Sequence, residues 1–516
     1  MMIRMLIIWI VWVSVVIGGS NIERLDELVD VKLIEHNIPA SPVTSDQEFM
    51  RRVYLDVTGC LPEIEQVKSF LNDKNPKKRS ILIDILFKSN AGIDYRTLKL
   101  CDLLRVKSEY PSNLWPNAVQ AYYREIREAV SSNMPYNEFA YELLTSTGSN
   151  FRHPDVNYYR ALRKRDPNGF LTATFLIFMG MQLEGNTAQD YFSVETLKNM
   201  EALFAPVSYK STKEWKEEIV YLDLTKTLKD KDKNVIEAKL PEGSNYKKDP
   251  LDPRVEFALW LTSPDNEFFA KSKVNRIWHE LFGIGVINPP DGLKKSNAPS
   301  NPELLNFLTK LFVDSGFDTE LIYKTILNSK TYQRSSATLP KNKDDVICFS
   351  HYVPYRLDAE VLLDAVDQLT GVWEKFSSRV PEPYTFLPYG TRSVQVMDGT
   401  IGCEFLSRFG RPSRDSSFAS DRSREPTMPQ AMMLMNSSII EGKLTRSPRI
   451  NTMARDKKLS YTNCIDQLYM ASVSRKPTVL ELNISLDYCN AKTDKKVALQ
   501  DVTWAIINSK EFIYNH

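Results

Sequence analysis

Hydrophobic and polar positions follow a helical spacing along most of this chain. The first such stretch after residue 20 is Ile22 to Leu33, where Ile22, Leu25, Leu28 and Val29 recur every three or four positions. Phe49–Val57 repeats the pattern and runs into Thr58-Gly59-Cys60-Leu61-Pro62-Glu63. There Thr58 or Gly59 ends one helix, and Pro62 with Glu63 suits the first turn of the next. Ile64–Leu71, Ser80–Phe87, Ala118–Ser131 and Asn137–Thr145 carry the helical texture to about Pro206. It returns at Pro253–Leu261, Lys271–Phe282, Pro302–Val313, Thr319–Leu327 and Arg356–Leu369, then at Asn463–Ser472 and Val497–Asn508. Asn301 ahead of Pro302 and Glu303 is a helix start, with Asn as cap and Pro in the first turn.

Between the two helical regions the pattern shortens. Ile219–Leu224 and Val235–Ala238 are β-like runs separated by the charged tract Lys229–Asn234, which predicts a hairpin or small β insert closed by Pro241-Glu242-Gly243. Glu374–Phe405, aromatic and Pro-rich, predicts a long ordered loop. The expected fold is mainly α: a multi-helix, two-domain protein with a small β insert between the domains. The helical domains cover residues 21–205 and 251–516, and the insert covers 206–250. Two internal echoes stand out. Ile326-Leu327-Asn328-Ser329-Lys330-Thr331-Tyr332 matches Ile506-Ile507-Asn508-Ser509-Lys510-Glu511-Phe512, each at a helix end. Thr58–Pro62 and Ser474–Pro477 both join a helix to one started by Pro. No fixed-period repeat accompanies them, which excludes a solenoid.

The N-terminus reads differently. Arg4 precedes an uninterrupted apolar run from Met5 to Ile17, followed by Gly18, Gly19 and Ser20. Charge, short apolar region and small residues in that order predict a cleaved secretory signal over residues 1–20. A retained anchor is the alternative, but a spanning helix needs about 20 apolar residues. The chain is therefore expected to be exported, to a periplasmic or extracellular space, with no permanent membrane span after cleavage.

Charge narrows the function classes. Lys and Arg total 66 against 65 Asp and Glu, so there is no broad basic field for nucleic acid. The six cysteines lie far apart with no CxxC pair, and they leave open either disulfides or buried thiols. No two of the five histidines lie within one helical turn, which disfavours a His-rich metal centre. GxSxG, P-loop and HExxH motifs are absent. Phe282-Gly283-Ile284-Gly285 is GxG-like, yet it follows a helix and lacks the third glycine.

Two segments concentrate polar groups. On the helix through Lys273–Gly283, Asn275, Arg276 and His279 fall on neighbouring faces and could meet a polar ligand; the alternative is that Asn275 and Arg276 tie down nearby loops. Arg408, Arg411, Arg414, Arg422 and Arg424 lie in a second stretch with Asp415, Asp421 and Glu425. Arg forks suit carboxylate, sulfate or phosphate, but the local acids could equally absorb them. The candidate ligand-binding residues are Asn275, Arg276, His279, Asp291, Glu303, Arg408, Arg411 and Arg424. The Met-rich Thr427–Asn436 reads as core filler rather than a groove.

Taken in order, these segments resemble a known domain pair. Arg52-Val53-Tyr54-Leu55-Asp56-Val57-Thr58-Gly59 with Leu61-Pro62 resembles the opening of the planctomycete cytochrome-associated domain, domain of unknown function 1549. Asp252-Pro253-Arg254, Ala258–Asn266, Val274–Trp278, Pro302–Leu305, Phe409–Pro412 and Trp504–Phe512 resemble its usual partner, domain of unknown function 1553. The resemblance implies an exported protein of unestablished activity. Relatives carry a Cys-x-x-Cys-His run in the first domain and a Cys-x-Cys-Glu-Arg run in the second. Here those places hold Gly185-Asn186-Thr187-Ala188-Gln189, after Met179–Glu184, and Phe418-Ala419-Ser420-Asp421-Arg422. Thiolate and imidazole ligands are missing from both. The resemblance thus implies one metal or haem-like centre in relatives, lost here as a unit. The expected protein is a cofactor-free, metal-free binding or structural protein of the envelope whose partner is an envelope protein or polysaccharide. The rival is an enzyme acting on an anionic polymer, with Arg276, His279, Arg408 and Arg411 around a carboxylate. A degenerate redox relative is third.

Overall fold

A computed structural model describes residues 21–184, 187–244, 246, 248–378, 380, 385 and 387–516. The expected signal over 1–20 lies outside these, as do Gly185, Asn186 and part of the Glu374–Phe405 loop. The protein is mainly α, with five short strands among the described residues. Two compact units form, each from separate stretches of chain. Unit 1 takes residues up to 43, 100–353 and 414–420; unit 2 takes 44–99, 354–413 and 421–516.

Unit 1 is built on aromatic packing. The helices Tyr136–Thr145 and Glu267–Phe282 bring Tyr136 and Phe269 to a ring separation of 5.1 Å. Nine residues further along the same helix, Trp278 stacks on Phe282 at 4.4 Å and meets Phe349 edge-on. The helix Pro302–Asp314 starts as its sequence predicts, with the Asn301 side chain accepting from the Leu304 amide and Pro302 in the first turn. The predicted small β insert forms, but with a different strand pairing. Glu218–Leu222 pairs antiparallel not with Val235–Ala238 but with the upstream strand Val207–Ser211, Val207 opposite Leu222, and on its other edge with Gly148–Ser149. Lys229 and Val235 form only an isolated bridge, in a turn closed by the Asp230 carboxylate accepting from Asn234. The charged tract is thus a local turn, and the strand finds its partner across Thr212–Glu217.

Unit 2 surrounds the helix Ala359–Thr370, in which Leu362, Leu363, Val366 and Leu369 are fully buried. A helix covered on nearly every side belongs in the centre of a core. Each such side chain contributes about 1.5–3 kcal/mol relative to exposure. Glu404–Arg408, Ser438–Arg446, Pro448–Arg455 and Tyr461–Val473 pack around it. From the first half of the chain, Leu55, Leu61, Tyr95 and Leu98 join the same cluster. All six cysteines are free thiols. No helix among the described residues is long and apolar enough to cross a membrane.

Candidate functional site

In unit 1 the polar helix Glu267–Phe282 ends at Gly283, whose left-handed conformation (φ 75°) lets its amide reach the His279 carbonyl. Asn275 then clamps the following loop. Its Nδ2 donates to the Ile287 carbonyl at 2.9 Å, and its Oδ1 accepts from the Ile287 amide at 2.8 Å. A Cβ on Gly285 would sit 2.3 Å from that carbonyl and 3.0 Å from Asn275 Oδ1. The GxG-like motif is therefore a helix cap followed by a close backbone approach, and no nucleotide cradle is needed to explain it.

Arg276 is buried and points inward. It donates to the carbonyls of Leu176 (2.5 Å) and Ile177, in the π-helical turn Phe175–Met179, and to Asp291 Oδ1 at 2.9 Å. The Leu176 carbonyl also accepts from the Gly180 amide, and Arg276 adds a donor to both carbonyls at this helix end. Asp291, also buried, has its second oxygen on the Ser420 amide at 3.2 Å, while its backbone carbonyl accepts from Gln182 Nε2 at 3.3 Å. A few residues on, the Lys295 amide donates to Asp190. Asp291 thus joins Ser420, in one of the runs that diverge from the resemblance, to Gln182, three residues ahead of the other. His279 is half-buried on the outer part of this helix, and Glu303 is exposed in the first turn of Pro302–Asp314, where its charge suits the helix N-terminus.

The Arg-rich stretch divides between the units. Arg414 belongs to unit 1, where it donates to Asp102 (2.9 Å) and the Val106 carbonyl. Arg408, Arg411, Arg422 and Arg424 belong to unit 2. Arg408 is exposed and pairs along its own helix with Glu404. The other three gather at the start of the Ala359–Thr370 helix. Arg422 binds Glu360 through both nitrogens, at 2.6 and 3.1 Å, and Arg411 Nε lies 3.5 Å from the same carboxylate. Arg424 donates to Asp358 Oδ1 at 2.9 Å and lies over the Tyr355 ring. Asp358 Oδ2 accepts from Tyr95 Oη at 2.9 Å and from Lys99. Burial alone would raise the Asp358 carboxyl, but Arg424, Lys99 and Arg422 outweigh it and hold it well below the ordinary range. Burial likewise opposes charge on Arg424, and Asp358 more than restores it.

Of the eight candidates, the structure brings Arg276 together with Asp291, and Arg411 with Arg424 at one helix start. Asn275 serves the loop, while Arg408 and Glu303 face solvent. Sequence reasoning missed Asp358, Glu360, Lys99 and Tyr95. Arg411, Arg422 and Arg424 reach a pair of acids fifty-one to sixty-six positions upstream; Asp358-x-Glu360 before an apolar run was the available signal. Breaking a buried pair by removing one partner costs about 3–5 kcal/mol, so these contacts hold the Arg411–Glu425 segment in place. Among the described residues no group of three or more His, Cys, Asp or Glu side chains is arranged to hold a metal. The groups around the Arg-bound Asp291, the Gln182 side chain and the Ser420 amide, do not suit a soft metal or haem iron.

Residues 24–205 match the family PSCyt2, protein of unknown function (DUF1549), and residues 253–489 match PSD1, protein of unknown function (DUF1553). Comparison with curated proteins and with solved structures gives no match.

Proposed function

From the premise that the chain belongs to the DUF1549 and DUF1553 families, in that order, we propose that it is an exported, cofactor-free binding or structural protein of the cell envelope. The observation that carries the reading is the Arg276–Asp291 pair. It lies between the Ser420 amide, within one run where the family resemblance expects Cys ligands, and the Gln182 side chain, three residues ahead of the other run, and this spot is closed by an internal ion pair rather than by thiolates or imidazoles. The same pair speaks against hydrolysis of an anionic polymer at these residues. Arg276 and Asp291 are both buried and engaged by each other and by backbone groups, and Arg408 is taken up at the surface by Glu404. Export rests on the Met5–Ile17 apolar run with the small residues after it.

The test is metal and haem content, measured by elemental analysis and absorption spectroscopy on protein recovered from the extracytoplasmic fraction of an expressing cell. The expected protein is colourless and free of stoichiometric metal, and begins near residue 21. One iron or zinc per chain would overturn the cofactor-free reading, and retention in the cytoplasm would overturn export.

A further inference from the structure

The helix Val479–Ala491 in unit 2 is apolar on two sides. Leu482, Leu486 and Cys489 face the core. Leu480, Ile484 and Tyr488, each about one turn from the next, face outward, and Leu480 and Ile484 remain 69 % and 61 % exposed. Scattered exposed apolar residues need no explanation, but a row of them beside a cavity does. That cavity, of about 440 Å³, opens between this helix, Tyr461–Val473 and Lys495–Ile507. Val473, Val502 and Ile506 line its base, and Ile484, Tyr488 and Trp504 stand around it.

Its walls are set in advance. The Trp504 indole N–H donates to the Met435 carbonyl at 3.2 Å, and the Tyr488 hydroxyl donates to Asp501 at 2.5 Å, which fixes both rings. Rigid aromatic walls lose little entropy on binding. The charged residues lining the cavity are all acids: Glu481, Asp501 and Glu511. Glu481 and Glu511 are held from behind by Arg475. Asp501 is met by the half-exposed Lys492 at 3.3 Å, a surface pair that contributes little and exchanges readily.

We propose that this cavity is the docking site for a basic, amphipathic segment of a partner protein. Apolar side chains spaced one helical turn apart enter beside Ile484 and Trp504, and a Lys or Arg replaces Lys492 at Asp501. Aliphatic anchors in a groove between helices are a recurring peptide-recognition mode. With Glu481 and Glu511 already paired to Arg475, Asp501 is the acid that favours a cationic partner, since its contact with Lys492 is solvent-exposed. The proposal specifies the partner class of the binding reading above, but it stands on different residues and on a different measurement, so metal in the protein would overturn that reading and leave this one intact.

Two short helical peptides test it by calorimetric titration of the full-length chain. Both carry Leu one turn apart; one has Lys beside them and the other Glu at the same places. The Lys peptide is expected to bind at least about tenfold more tightly, and more weakly as salt rises. Ile484→Glu, at an exposed position that leaves the core untouched, should abolish binding with an unchanged circular dichroism spectrum, and Asp501→Asn should erase the preference for Lys. Equal binding of the two peptides, no binding of either, or unaltered binding by Ile484→Glu would overturn the proposal. So would sedimentation of the chain with anionic phospholipid vesicles.

Discussion

Asp364 lies inside unit 2 on the central helix, with one oxygen on the Ser393 amide at 2.6 Å and the other on the Val394 amide at 3.3 Å. It anchors the short turn Ser393–Gln395 to the core. Burial pushes its carboxyl up to about 7, against the lowering effect of the Ser393 amide and of Arg392. In the unfolded chain the same group ionises near 4. Between those values the folded state holds more protons, so this residue lowers stability as pH rises from about 4 to about 7 and has a constant effect above that. The stability of wild type relative to Asp364→Asn should therefore fall across this window, by on the order of 1 kcal/mol per pH unit. Urea midpoints at several pH values would show it, and a pH-independent difference would refute it. Ion pairing at this scale was only half legible in the sequence. Arg276 and Asp291 both stand out as residue types, and fifteen positions separate them. Arg422 and Glu360 are sixty-two apart, and no local spacing rule reaches across that distance.

At the level of elements, the matched helix ends prove to be one hydrogen-bonded device used twice. Ser329 Oγ donates to the Ile326 carbonyl at 2.6 Å and accepts from the Tyr332 amide at 3.1 Å. Ser509 Oγ donates to the Ile506 carbonyl at 2.7 Å and accepts from the Phe512 amide at 3.2 Å. The preceding Asn residues agree as well: Asn328 and Asn508 each donate to the carbonyl four positions back. One hydroxyl thus closes a helix and opens the next turn. Ser329→Ala and Ser509→Ala should each cost about 1 kcal/mol. Since they lie in different units, the double variant should lose the sum, as read from denaturant midpoints. A double variant no worse than either single one would mean that the two ends are coupled. Helices with a single apolar stripe, such as Pro302–Asp314 and Thr319–Asn328, were legible to within a residue or two. Pro477 announced the start of Val479–Ala491, but its faces were not legible, because its apolar positions lie on opposite sides and no single stripe emerges. The feature that concealed those faces is the one that makes the outer one available to a partner.

Across the whole molecule, the order of segments along the chain and their order in space differ. The family matches follow one another, 24–205 and then 253–489, whereas the chain passes between the compact units at 43/44, 99/100, 353/354, 413/414 and 420/421. Helical content was readable from periodicity, but these crossings were not, because a buried leucine carries no mark of which core receives it. Leu55, Leu61, Tyr95 and Leu98 are buried against Val361, Leu362 and Val394 in unit 2. Exposing four such side chains costs about 1.5–3 kcal/mol each, a sum comparable with the 5–15 kcal/mol that stabilises a typical domain. Residues 21–205 and 251–516 expressed separately should therefore each lack a sharp thermal transition, although most of their helices have amphipathic sequences of their own. Co-expressed, the two pieces should associate and regain one, because the unit 2 core needs residues from both. Cooperative unfolding of either piece alone, followed by circular dichroism, would show that the contribution of residues 44–99 to that core is dispensable and that each family segment folds independently.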